Sequence, residues 1–142
     1  ATAHALAGSG SHLVLVSRSS DVLEEVRQEC VARGAGEVLV LPADVSDGAA
    51  VEAVLDAARE RLGRVDGVVH AAAVLAYGRF EDVPREVFDK TVATNVVGTA
   101  NVARPVHDTG GVGFVHEEPH VGAVGDPDRG WATPGDLLGR LG

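Results

Sequence analysis

The sequence predicts an α/β fold, a doubly wound parallel sheet with helices on both faces. Three observations carry that expectation. Short apolar segments alternate with amphipathic stretches of helical period, the pattern of successive β-α-β crossovers. The segment 65–71 is apolar in character, as a central parallel strand buried on both faces must be. The apolar content, 45% of 142 residues, is aliphatic rather than aromatic (4%), which suits strands packed under helices.

The elements follow in order. Residues 1–8 are strong helix formers ended by Gly8, and the chain opens Ala-Thr-Ala-His as though inside a helix, so it is expected to be a fragment. Residues 12–17 form the first strand. Asp21 or Ser20 can cap the next helix, whose buried face is Val22, Leu23, Val26, Cys30 and Val31. Arg33-Gly34-Ala35-Gly36 ends it, and residues 37–41 form the second strand. Pro42 through Asp47 leads into a helix that buries Val51, Val54, Leu55, Ala58 and Leu62. The third strand is 65–71. A loop through Tyr77 and Phe80 reaches Pro84, suited to a helix start, and Tyr77, Phe80 and Phe88 are expected to be loop anchors and core rather than a substrate pocket. That helix is expected to run through Phe88, Val92, Asn95, Val96 and Val102 and to stop at Pro105. Residues 113–116 are a candidate fourth strand. The organisation expected is one domain over 1–107 and a poorly packed Gly/Pro-rich tail over 108–142.

Composition narrows the function classes. A net charge of −9 argues against nucleic acid or an anionic membrane surface as partner, so an anionic ligand needs local cations. Cys30 is the only cysteine, which excludes an internal disulfide and points to a reducing, cytoplasmic setting. No apolar run reaches the length of a membrane span. Arg59, Arg61 and Arg64 favour the C-terminal end of their helix dipole and need no ligand.

One cation stands out. Arg18 closes the first strand and a helix follows at once. A nucleotide 2′-phosphate needs a cation beside it, whereas a free ribose 2′-hydroxyl needs an acidic acceptor. Taken alone, Arg18 also reads as a solvated strand-end arginine. His116-Glu117-Glu118-Pro119-His120 formally matches the zinc signature His-Glu-x-x-His, but Pro119 would disrupt the helix that signature needs, leaving a solvated loop or a minor metal-binding role for His116 and His120.

Four features fall in order: Ser17-Arg18, Asp44-Val45, Val68-Val69-His70-Ala71-Ala72-Ala73, and Thr94-Asn95-Val96-Val97-Gly98-Thr99. With these, residues 1 to about 106 resemble the short-chain dehydrogenase/reductase family. The resemblance implies an incomplete Rossmann-like domain that binds NADP in preference to NAD, with Arg18 and Ser17 at the 2′-phosphate. It implies that Asp44 and the Val45 backbone meet the adenine, that Ala71 and Ala72 allow close approach of the adenosine ribose, and that Asn95 belongs to the catalytic proton relay. Asp44 can instead cap the next helix, and Asn95 can be a helix residue satisfied by nearby backbone.

The resemblance also exposes gaps. The family's first strand and its Gly-rich turn would precede Ala1, and without them the strands at 12–17 and 65–71 face a gap that invites self-association, hence a possible homo-oligomer. The family's Ser and Tyr-x-x-x-Lys set has no counterpart: the last serine is Ser46, the only tyrosine Tyr77 and the only lysine Lys90. In the tail, residues 121–127 resemble the stretch after the family's Ser, with Glu118 or Pro119, Ala132 and Asp136 where Ser, Tyr and Lys would stand. The implied function is an NADP-dependent oxidoreductase for a carbonyl or secondary alcohol, catalytically impaired or inactive as written. The alternatives are a non-catalytic nucleotide-binding or self-associating relative, and metal binding through His116 and His120.

Overall fold

The computed structural model describes residues 2–107 and 114–116. The elements are α1 (Thr2–Ala7), β1 (Leu13–Leu15), α2 (Ser20–Ala32), β2 (Val38–Val40), α3 (Gly48–Leu62), β3 (Val68–His70), α4 (Arg85–Val92), α5 (Thr99–His107) and β4 (Phe114–His116). A 3-10 turn at Phe80–Asp82 precedes α4, and a π-helical turn, Ala93–Gly98, joins α4 to α5. Among the described residues the strands form two parallel pairs, β1 with β2 and β3 with β4. Parallel pairs with helices in the connections are the α/β, Rossmann-like arrangement the sequence predicts.

The described residues divide into two compact units, one of residues 2–44 and 49–64, the other of 45–48, 65–107 and 114–116. In the first, Leu13, Val14 and Leu15 pair with Val38, Leu39 and Val40. Hydrogen bonds Leu13 N–H to Glu37 O, Leu41 N–H to Leu15 O and Ala43 N–H to Ser17 O carry the ladder past both ends. The core is Ala7, Leu13, Leu15, Leu23 and Cys30, with Leu6, Val26, Val38 and Val40 packed against it. Leu23, Val26 and Cys30 lie at three- and seven-residue intervals, one stripe of the helix. Val22 and Val31, expected on that face, sit at its two edges, roughly 70° and 110° from the centre of the stripe, and are half exposed.

Local signals set the helix ends. The N-cap of α2 is Ser19 rather than Ser20 or Asp21, and its side chain makes no capping bond. Its carbonyl takes the Leu23 N–H, while the Ser17 hydroxyl accepts from the Ser19 N–H. At the other end Ala35 N–H bonds Cys30 O and Gly34 N–H bonds Val31 O, with Gly34 at φ +97°. That is a Schellman cap, and the left-handed residue it requires is glycine. On α3, Val51, Leu55 and Ala58 are buried as expected.

In the second unit Val68, Val69 and His70 pair with Phe114, Val115 and His116. Pro84 stands just before α4 rather than inside it, its carbonyl accepting from Val87 and Phe88. The helical run does not stop at Pro105: α5 continues to His107. The proline removes one N–H from the final turn and its ring crowds the carbonyl four residues back, at Asn101, so it weakens the end of α5 without stopping it. Val102 is buried, but Phe88, Val92 and Val96 are exposed because no described element covers that face. Tyr77 and Phe80 are exposed too, and so are not core anchors; Phe80 meets Phe88 edge to face, centroids 5.9 Å apart. The expected tail, apart from Phe114–His116, lies outside the described residues.

Candidate functional site

In the first unit the parallel pairing of β1 and β2 brings Ser17 and Arg18 beside Ala43 and Asp44. Both strands end there, and the carboxyl ends of parallel strands are where α/β sheets bind ligands. The Arg18 guanidinium stands 4.0 Å from the Asp44 carboxylate, with side chains 61% and 41% exposed. A pair this long and open adds little stability, so Arg18 can turn to another anion at small cost. The Ser17 hydroxyl is tied to the Ser19 backbone, donating to its carbonyl (3.4 Å) and accepting from its N–H (3.3 Å). Asp44 is not the cap of α3, which begins only at Gly48.

The second unit holds Val45, Ala71, Ala72 and Asn95. Asn95 lies in the π-helical turn, an irregularity that is frequent at functional sites. Its amide group forms a two-way clamp on the loop after β3: Nδ2–H donates to Val74 O (2.9 Å) and Oδ1 accepts from Val74 N–H (2.8 Å). Asn95 is therefore satisfied by backbone, but on a different element, and it fixes the loop that carries Ala71 and Ala72. Ala71 is exposed and Ala72 half-buried.

Behind Asn95 is a polar chain that sequence reasoning did not assign. The Thr99 hydroxyl donates to Asn95 O (2.7 Å) and faces His70 Nε2 (3.0 Å). A hydroxyl has one proton, so His70 must be the donor, and the network assigns its tautomer as Nε2–H. His70 is 4% exposed, the one buried polar or charged residue among those described. The signal was present: a histidine in an apolar strand requires a partner.

Two further positions escaped notice. A Cβ on Gly98 would stand 2.7 Å from Val45 Cγ2, so only glycine permits the observed approach of helix and turn. One turn on, Asn101 Nδ2–H donates to Val45 O at 3.0 Å. Nothing in the local sequence pattern ties position 101 to position 45. Among the described residues no group of three or more His, Cys, Asp or Glu is arranged to hold a metal ion. The side chain of His116 and all of His120, with Glu118, Pro119, Ala132 and Asp136, lie outside the described residues. No helix among those residues is long and apolar enough to cross a membrane.

Comparison with known proteins identifies the frame. Residues 1–111 match the family profile described as enoyl-(acyl carrier protein) reductase. The chain belongs to the short-chain dehydrogenase/reductase family. It is 40% identical over 100 residues to levodione reductase of Leifsonia aquatica, covering 69% of this chain and 38% of that one. Its fold superposes on a crystal structure of levodione reductase with a TM-score of 0.75 and 35% identity, over 81% of this chain and 47% of the other. An alcohol dehydrogenase from the archaeon Thermococcus sibiricus, solved with 5-hydroxy-NADP, gives a TM-score of 0.71 at 33% identity, over 75% of this chain and 46% of that one. The chain thus spans less than half the length of these relatives.

Proposed function

We propose that this short-chain dehydrogenase/reductase chain binds NADP(H) in preference to NAD(H). Arg18 at the carboxyl end of β1, in open contact with Asp44, is the observation that carries the reading. The donor set fits the cofactor: an exposed guanidinium in a long, open ion pair can turn to a 2′-phosphate, and Ser17 lies next to it. In this reading Asp44 and the Val45 backbone meet the adenine, Ala71 and Ala72 leave room beside the adenosine ribose, and Asn95 shapes that edge by clamping Val74. The alcohol dehydrogenase that this fold matches was solved with an NADP derivative, which supports the same choice. A bound nicotinamide ring would supply the hydride, and the substrate class would be a carbonyl or secondary alcohol, in a cytoplasmic protein able to self-associate as a homo-oligomer.

Catalysis by the sequence as written is impaired or absent in this reading, because no Tyr-x-x-x-Lys pair occurs in it. That observation favours a second form of the proposal, in which residues 1–107 bind nucleotide without turnover and 108–142 are a separate tail. Calorimetric titration with NADPH and NADH, repeated on Arg18→Ala, is the test. The substitution should weaken NADPH far more than NADH, by about ten- to a hundredfold for a charge-assisted phosphate contact. Equal losses for both nucleotides would remove Arg18 from the site.

A further inference from the structure

We infer that Asn101 is a positioning residue that sets the preference for adenine, acting through the Val45 backbone. The inference rests on the nucleotide-binding reading above.

Residues 45–48 belong to no strand, and the second unit holds them from one helical surface. Asn101 Nδ2–H donates to Val45 O at 3.0 Å, in a half-buried setting. Three residues earlier on the same face, Gly98 lets the Val45 side chain come so near that a Cβ would meet Cγ2 at 2.7 Å. The amide also lies along Gly48, where a Cβ would stand 3.3 Å from Asn101 Oδ1. Val45 is thus gripped at both its side chain and its carbonyl.

A peptide plane whose carbonyl is held cannot rotate freely, and the adjoining Val45 backbone is then presented at one angle. Backbone groups read a purine edge by donor and acceptor order. Adenine offers an amino donor and a ring-nitrogen acceptor; hypoxanthine reverses both. A fixed peptide distinguishes the two bases, and a peptide that can rotate accepts either. Asn101 needs no contact with the nucleotide to do this.

The test uses the whole chain and two probes, NADPH and its hypoxanthine analogue, with NADH in parallel. Wild type should favour adenine over hypoxanthine by about three- to tenfold, the worth of one well-placed neutral hydrogen bond. Asn101→Leu and the near-isosteric Asn101→Asp, each checked for folding by circular dichroism, should bring that ratio close to one. Asn101→Gln, which keeps the amide, should restore part of it. The preference for NADPH over NADH should persist in all three variants, a pattern general loss of stability would not produce. A folded Asn101→Asp or Asn101→Leu that retains the wild-type base ratio overturns the inference, as does a wild type indifferent to the base. Loss of the NADPH preference in wild type, with the base ratio still governed by Asn101, refutes only the role of Arg18. No nucleotide binding by folded wild type overturns both.

Discussion

Replacing Thr99 by Val deletes one oxygen and keeps the shape of the side chain, so its consequences are electrostatic rather than steric. The hydroxyl sits between His70 Nε2 (3.0 Å) and Asn95 O (2.7 Å). His70 is 4% exposed, and in the Thr99→Val chain its Nε2–H faces a methyl group. Stranding a buried donor costs about 1–3 kcal/mol, and the lost bond to Asn95 adds about 0.5–1.5 kcal/mol. The expected destabilisation is about 2–4 kcal/mol, or a fall in Tm of roughly 5–15 °C for a chain of this size. Urea unfolding followed by circular dichroism measures it. The same substitution in a His70→Leu background should cost at least 1 kcal/mol less (about the stranding term), because the Nε2–H that Thr99 accepts from is then absent. An equal loss in both backgrounds would refute the network, and so would a Thr99→Val that costs less than about 0.5 kcal/mol.

Two further outcomes are expected. Gly98→Ala should destabilise by about 1–3 kcal/mol despite the better helix propensity of alanine, because its Cβ meets the stiff, β-branched Val45 at 2.7 Å. Adding Val45→Ala should recover part of that loss in the same unfolding assay, and a Gly98→Ala chain as stable as wild type would contradict the close approach. The Cys30 thiol, wholly buried, is pushed up from its ordinary value of 9.0, chiefly by desolvation. As pH rises past that value the unfolded chain loses its thiol proton first, so stability should fall in alkali. The urea midpoint of Cys30→Ala should therefore change less between pH 8 and pH 10 than that of wild type, and rapid labelling of the native thiol by a disulfide reagent would contradict its burial.

Much of the fold was legible in local pattern. The stripe Leu23, Val26, Cys30 and the sequence Arg33-Gly34-Ala35-Gly36 specify both the buried face of α2 and its Schellman end, because spacing and the φ of a glycine are properties of a few consecutive residues. The outer valines of the same helix were misplaced because the sequence alone does not give the width of the buried stripe. The core role expected of Phe88 and the stop expected at Pro105 failed similarly: whether a face is covered, and whether a proline ends a helix or only weakens its final turn, depends on what packs nearby.

The site divides along the same line. Arg18 and Asp44 were readable as residue types that follow predicted strands, and Asn95 as one within a predicted helix, and so were the family and the α/β class. The pairing of Arg18 with Asp44, the clamp of Asn95 on Val74, the tautomer of His70 and the grip of Gly98 and Asn101 on Val45 were not. Each joins residues well separated along the chain. Periodicity, caps and charge are written in consecutive residues and act over a turn or a strand; hydrogen bonds such as that from Asn101 to Val45 exist only once the backbone has brought distant segments within 3.0 Å.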